Sequence, residues 1–491
     1  MIYASLAQRW SLLFACTALV VACDAGPRTM TARDSSAAVD AADSASGASE
    51  TDAGSSAPIT PPRGPMQYVP AGCAHTVRST PGAVSFRLGD ESTLGRDPAP
   101  RAPHVTFAAD PRSTAAVLWR TDDGTLASVV EYGRSPMQLD RRAVGHASRA
   151  GFGVPITMHE THLCGLEPDT TYYYRVGAPG AFSDVQSFKT APADASGTVN
   201  FAFFGDSRDD FAVFRTVNEA VLRQPGMSLP DAVLFTGDAI PTGLVQDDWD
   251  RWFDAATPTM RAMPYILAHG NHEGLAANYL HQFAQPQSDD RNRSELYWSW
   301  DYGPVHLVVL NDSPFPIVEG IEGAQRAWLD ADLARADANR ANVPWVVVMH
   351  HKGPFSSALH TEDADVDIVR RAWVPLYAQH HVDLVVNGHD HHFELTYPLD
   401  WLGARAALDD YGVVYVTAGA SGAFLYANPG RLWTRTIEST VNFGALRISR
   451  DRLRMEAFRV DMAGMPSPIA GSCVLRERDA TGQRPVERPC P

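Results

Sequence analysis

The chain has 491 residues and a formal net charge of −16, with 45% hydrophobic and 20% charged residues. At about 150 residues per domain this allows two to four globular domains and excludes a disordered chain, a collagen and a multi-span membrane protein. So acidic a surface repels phosphate backbones, which disfavours general nucleic-acid binding, and with lysine only at Lys189 and Lys352 there is no G-x-x-x-x-G-K-[ST] phosphate loop.

The first segment reads as an export signal. Arg9 precedes an apolar run from Ser11 to Ala22 that is short for a bilayer span. The run ends Val20-Val21-Ala22-Cys23, which resembles the lipobox of bacterial lipoproteins. That resemblance implies cleavage after residue 22, acylation of Cys23, and an exported chain anchored by lipid in the cell envelope, periplasmic or at the cell surface. A plain secretory signal with an incidental cysteine is the alternative. Residues 23–67 follow as a tether: from Asp24 to Gln67 there is no aromatic residue and no leucine, too little apolar surface to offset the entropy of ordering. The cysteines beyond Cys23 are Cys73, Cys164, Cys473 and Cys490. In an oxidising compartment they suit two disulfides with three connectivities, Cys473–Cys490 being a guess.

Residues 68–97 read as irregular cover for a small all-β sandwich over 98–192. Short alternating runs mark its strands: Val105–Phe107, Ala115–Trp119, Ser128–Tyr132, Tyr172–Val176 and Val185–Phe188. Turn signals such as Asp122-Asp123-Gly124 separate them. The stretch from Thr161 to Val176, with Leu163, Leu166, Tyr172 and Tyr174, resembles a fibronectin type III signature, which is a packing motif without chemistry.

From Val199 apolar runs alternate with helical patterns. Val199–Phe204, Ala232–Phe235, Tyr265–Ala268, Val305–Leu310, Trp345–Met349, Leu384–Val386 and Val413–Thr417 read as buried strands. Phe211, Phe214, Val217 and Val221 mark one helical face; Trp328, Leu329 and Leu333 a second; Val366, Val369, Trp373 and Leu376 a third. An α/β layered domain places its site at the carboxyl ends of strands, and the polar clusters fall there. They are Gly205-Asp206-Ser207-Arg208, Gly237-Asp238, Gly270-Asn271-His272-Glu273, His350-His351 and Gly388-His389-Asp390-His391-His392. A loop aspartate is usually a cap and a lone histidine usually a surface residue. Five such groups, each after an expected strand, point to a metal site, and Asp, Asn and His donors without thiolate suit Fe, Zn or Mn.

This order of blocks resembles the calcineurin-like metallophosphoesterase superfamily. With the sandwich ahead of it and the Gly-Asn-His-Glu block, the chain is most similar to purple acid phosphatases of the plant and bacterial type. The resemblance implies a four-layer α/β metallophosphoesterase domain over 197–464, two mixed sheets flanked by helices; residues 465–491, beyond it, read as a tail that the guessed Cys473–Cys490 pairing would close. It implies a pair of transition-metal ions: Asp206 and His391 on the first, Asn271, His350 and His389 on the second, and Asp238 between them. His272 and, on a looser alignment, His360 would meet the phosphate and protonate the leaving oxygen. The implied reaction is hydrolysis of phosphate monoesters by a metal-held hydroxide, with a phosphodiesterase of the same superfamily as the alternative. An alternative of another class is a surface binding protein with a vestigial metal domain; the intact set of ligand types argues against it.

Two positions depart from the resemblance. Pro241 stands where the purple enzymes carry a tyrosine, so the first ion lacks the phenolate that favours ferric iron, and a colourless protein is expected. Arg208 stands where they carry glycine; its fork suits a phosphate oxygen, while a salt bridge to Asp209, Asp210 or a neighbouring loop is the alternative. His351 and His392 could orient ligands or be exposed neighbours. Lys352, directly after the histidine pair, could meet substrate. Gly419-Ala420-Ser421-Gly422 reads as a tight turn near the site.

Overall fold

The computed structural model describes residues 67–80, 83–150, 155–274, 276–288, 294–407, 411–478 and 485–490. The expected signal segment, Cys23 and the tether as far as residue 66 lie outside the described residues.

The first domain is a sandwich of two antiparallel sheets. One is ordered Ala83–Leu88, His146–Ala150, Ile156–Cys164, Thr114–Asp122, Arg101–Thr106. The other runs Ala181–Phe182, Thr171–Ala178, Val129–Gly133, Arg141–Val144, with Gln186–Lys189 also paired to Thr171–Ala178. Val117, Trp119, Val130, Leu163, Leu166, Tyr172, Tyr174 and Phe188 fill the space between them. The Tyr172 hydroxyl accepts from the Glu167 backbone at 3.0 Å, closing the corner before its strand. Residues 68–97 are more than irregular cover. They supply the edge strand Ala83–Leu88, and a Cys73–Cys164 disulfide ties the segment to the sheet.

The second domain stacks helices, sheet, sheet and helices. One sheet is ordered Tyr265–Leu267, Ala232–Phe235, Val199–Phe204, Asn442–Ile448, Arg452–Val460, Val474–Arg478, Pro485–Arg488. The facing sheet is ordered Trp298–Tyr302, Val305–Val309, Trp345–Lys352, Leu384–Gly388, Val414–Ala418, Phe393–Thr396, Thr434–Glu438. Both mix parallel and antiparallel pairs. Along a strand successive side chains leave by opposite faces. Phe201 and Phe203 therefore join Val347, Met349 and Val386 between the sheets. Ala202 and Phe204 meet Phe214, Trp249 and Trp252 under the helices Phe211–Val221 and Gln246–Met260. Val346, Val348 and Val385 pack against Leu329, Trp373 and Tyr377 of Ala324–Ala338 and Ala364–Gln379.

The tail expected after residue 464 instead continues the first sheet through Val474–Arg478, and Cys473–Cys490 closes on it. The helix Gln246–Met260 is not among the three helical faces expected from the sequence. Its stripe of Trp249, Trp252, Phe253, Ala256 and Met260 is buried, and the Trp252 indole N–H reaches the Ser207 hydroxyl at 3.0 Å, bracing the first polar loop.

Candidate metal centre

The loops after Val199–Phe204, Ala232–Phe235, Tyr265–Leu267 and Leu384–Gly388 meet the carboxyl end of the strand Trp345–Lys352, which itself carries His350 and His351. Their backbone is strained where they meet: Asp206, Asp238 and His389 have φ of 56°, 55° and 70°. Left-handed backbone at a non-glycine residue persists only where its surroundings over-determine it. Here the Asp206 amide bonds the Gly237 carbonyl at 2.9 Å, and the Asp206 carboxylate accepts from the His389 amide at 3.0 and 3.1 Å. Gly388 and Gly270 let the backbone pass so close that a Cβ at either would collide with the Asp206 or Asp238 carboxylate. The turn at 419–422 lies against this loop, with Ser421 N on the Gly205 carbonyl at 3.1 Å.

Asp206 and Asp238 are fully buried. Burial, and after the lowering charge of His351 the repulsion of Asp238, leave Asp206 far above the ordinary carboxylate range. Burial acts upward on Asp238 as well, but His351 outweighs it by charge and hydrogen bond and holds that group well below the range. Glu273 supports the bridge between their loops. Its carboxylate accepts from Gly270 N at 2.7 Å, Asp238 N at 3.0 Å and Ala239 N at 2.6 Å. Burial first, then the charge of Asp238, raises it to about 7.

Three histidines face these carboxylates. His351 Nδ1 donates to the Thr236 carbonyl at 2.8 Å, and its Nε2 lies 3.3 Å from Asp238 Oδ1 and 3.1 Å from Asn271 Oδ1. Burial acts downward on His351, yet the charges of Asp238 and Asp206 push it up to about 10. His389 lies with its ring 4.9 Å from that of His351, and its buried Nε2 has no hydrogen-bond partner. Burial, then the charges of His351 and His360, keeps it well below the ordinary range and so neutral. His391 donates from Nδ1 to the Phe424 carbonyl at 2.8 Å and stacks on Tyr426 at 4.1 Å; its Nε2 is 3.6 Å from Asp206 Oδ1. The ligand atoms of Asp238, His351 and His389 all lie within 4.8 Å of one another. These residues fit a transition cation: imidazole and carboxylate donors drawn together, with a buried Nε2 on His389 that makes no hydrogen bond in the protein.

The sequence pattern puts His350 in this cluster and His351 beside it; the structure reverses the pair. His350 continues the Val346–Val348 face, lies 5.2 Å from the Trp373 ring and donates from Nδ1 to Asp312 at 2.9 Å. His351 continues the Val347–Met349 face toward the carboxylates. Lys352 is also turned away, buried in an ion pair with Asp365 at 2.6 Å. His392 is buried against Glu394 at 3.0 Å, outside the cluster. Arg208 shows the salt-bridged alternative: its Nη1 meets both Asp209 oxygens at 2.9 and 3.1 Å, Nε lies 3.4 Å from Asp238, and Nη2 lies 3.2 Å from His391 Nε2. In this arrangement all three guanidinium nitrogens have protein partners.

His272 is half-buried at the rim. Its Nδ1 donates to the Pro241 carbonyl at 2.8 Å, which leaves Nε2 on the site side, 3.8 Å from Asp238 Oδ2. His360 lies over His389, ring centres 4.1 Å apart, and its Nδ1 is 2.8 Å from Asp363. Asp390 fixes the same loop by accepting from the His360 amide at 3.2 Å and from the Ser356 hydroxyl. The sequence alone assigns no role to Glu273, Asp363, Asp390 or Tyr426; only Glu273 and Asp390, inside the glycine-led motifs, carry a signal.

Residues 100–190 match the family model described as purple acid phosphatase, N-terminal domain, and residues 199–393 the one described as calcineurin-like phosphoesterase. Purple acid phosphatase 21 of Arabidopsis thaliana is similar at 28% identity over 366 residues, 71% of this chain and 78% of that protein. Acid phosphatase type 7 of Homo sapiens is 30% identical over 368 residues, 69% of this chain and 81% of that protein. Among solved structures, a purple acid phosphatase from yellow lupin (Lupinus luteus) seeds shares the fold, with a TM-score of 0.63 at 18% identity over 78% of this chain and 75% of that one.

Proposed function

Because the chain belongs to the calcineurin-like phosphoesterase family and carries a purple acid phosphatase N-terminal domain, we propose that it removes phosphate from monoesters at a centre for two transition cations. Asp206 and His391 would hold one, Asn271, His351 and His389 the other, and Asp238 would serve both. The observation that carries this reading is the gathering of one ligand atom each from Asp238, His351 and His389 within 4.8 Å of one another in the buried interior. Bound there, the cations supply Lewis acidity toward the phosphoryl oxygens and lower the pKa of an attacking water.

The chain's own groups do the rest. Thr236, Phe424 and Pro241 each fix a ring by taking its Nδ1 proton in a hydrogen bond, so His351, His391 and His272 all present Nε2 to the centre. His272, at the rim, is placed to hand a proton from Nε2 to the leaving oxygen, and His360, oriented by Asp363, stands as the second donor. Glu273 keeps Asp238 in its strained conformation by bonding the amides on either side of it.

Turnover of an aryl phosphate monoester and of a bis-aryl diester by metal-loaded protein tests the reading. A kcat/KM at least about tenfold higher for the monoester is expected. A reversed ratio makes the chain a diesterase, and no turnover of either sinks the proposal. Export with a lipid on Cys23 belongs to the same reading; the two disulfides suit an oxidising compartment. Mass spectrometry of the amino-terminal peptide from native membranes checks it, an unmodified Cys23 thiol being the adverse result.

A further inference from the structure

We propose that Arg208 is a resident cation of the Asp206–His391 half of the centre, so that one metal position is preformed and the other opens only when the guanidinium swings out. The inference rests on the two-cation reading above and goes beyond it, because it makes the two positions unequal and names the side chain responsible.

The donors divide into two halves of different character. Around His389, three ligand atoms from Asp238, His351 and His389 gather within 4.8 Å, and the His389 lone pair meets no protein donor. The Asp206–His391 half forms no such group of three among the described residues. Its lone pairs already have a partner. His391 donates through Nδ1 to Phe424, so its Nε2 must accept, and it faces Arg208 Nη2 at 3.2 Å. Asp238 Oδ2 turns toward Arg208 Nε at 3.4 Å. A single guanidinium thus spans an imidazole and a carboxylate that a metal ion would otherwise join. Guanidinium suits this place because it is always charged and its planar fork serves several acceptors at once.

The side chain also has somewhere to go. Asp209 pairs with Nη1 at 2.9 Å from the outer side, and both side chains keep about 15% of their surface exposed. Asp209 is itself held by the Phe424 amide at 3.1 Å, on the segment whose carbonyl orients His391. Rotation of Arg208 toward solvent with Asp209 as pivot frees Asp238 Oδ2 and His391 Nε2 together. A metal ion binds nitrogen and oxygen at about 2.0–2.2 Å, too short for N–H groups to point at the same two atoms. Ion and guanidinium therefore exclude each other.

The test is a binding isotherm of Zn²⁺ on the chelator-stripped full chain, with bound metal counted by elemental analysis, for wild type and Arg208→Gln. Wild type is expected to take one ion tightly and a second at least tenfold more weakly. In the variant the weak step tightens at least tenfold while the tight step stays within threefold. Asp209→Asn, which loosens the pivot and leaves the guanidinium in place, gives a smaller tightening confined to the weak step, and serves if the first variant misfolds. Superimposable isotherms overturn the proposal. So does an equal shift of both steps, since that is charge acting through space on the shared Asp238 rather than occupancy. In either case two ions still bind, which separates this failure from that of the two-cation reading; if no ion binds to either protein, both fall.

Discussion

Buried histidines occur in both domains, and they differ in where their lone pairs go. In the sandwich, His159 is enclosed with Nδ1 on the Ser128 hydroxyl at 2.9 Å and Nε2 on the Thr121 hydroxyl at 2.7 Å, stacked on Trp119. Burial holds it down at about 3, a neutral ring with both nitrogens satisfied. In the second domain burial likewise keeps His389 neutral, but its Nε2 is left without a partner. The same physics, desolvation of an imidazole, yields a packing element in one place and a ligand in the other. A count of buried histidines therefore locates nothing. Nor does an unsatisfied ring nitrogen alone, since His350 Nε2 and His392 Nδ1 are also buried without a partner. It marks the chemistry where other ligand atoms converge on the same ring, as those of Asp238 and His351 do on His389.

His389→Ala puts that contrast under the greatest load. It is expected to lower kcat/KM on the order of a thousandfold, with a melting temperature within about 3 °C of wild type, since the lost nitrogen made no hydrogen bond. Steady-state kinetics beside a thermal melt read both. Activity within tenfold of wild type would erase the distinction between the two domains. A smaller effect is expected on the other side: His159→Val removes the ring's bonds to the Ser128 and Thr121 hydroxyls, which keep only the Leu126 and Asp122 carbonyls, and costs about 2 kcal/mol of stability in urea denaturation, while kcat/KM stays within twofold.

The strand pattern shows how far the sequence can be read. Val199–Phe204 and Ala232–Phe235 have the bounds their apolar runs indicate, because a glycine and a ligand follow the first run at once and the second after Thr236. The strand from Trp345 is harder. It is buried on both faces, so its residues give an unbroken apolar run with no alternation to say which parity faces the other sheet. His350 and His351 are therefore indistinguishable by pattern, and the structure separates them by one residue of register. The helix Gln246–Met260 is a different case. Trp249, Trp252, Phe253, Ala256 and Met260 recur at helical spacing, with Asp247, Asp248, Asp250 and Asp254 off that face, so its stripe is legible along the chain and only the sheet it covers is not.

Local chemistry along the chain set the order of elements, the glycine-led loops and the kinds of ligand they carry, since strand ends, turns and donor types depend on short stretches of sequence. Which neighbour points inward, which carboxylate feels which charge, and that Arg208 rather than a solvent-facing fork sits against Asp238 and His391 were settled by packing. Those properties arise between segments far apart in sequence, and a one-residue shift in a two-residue period moves a side chain from one face of a sheet to the other.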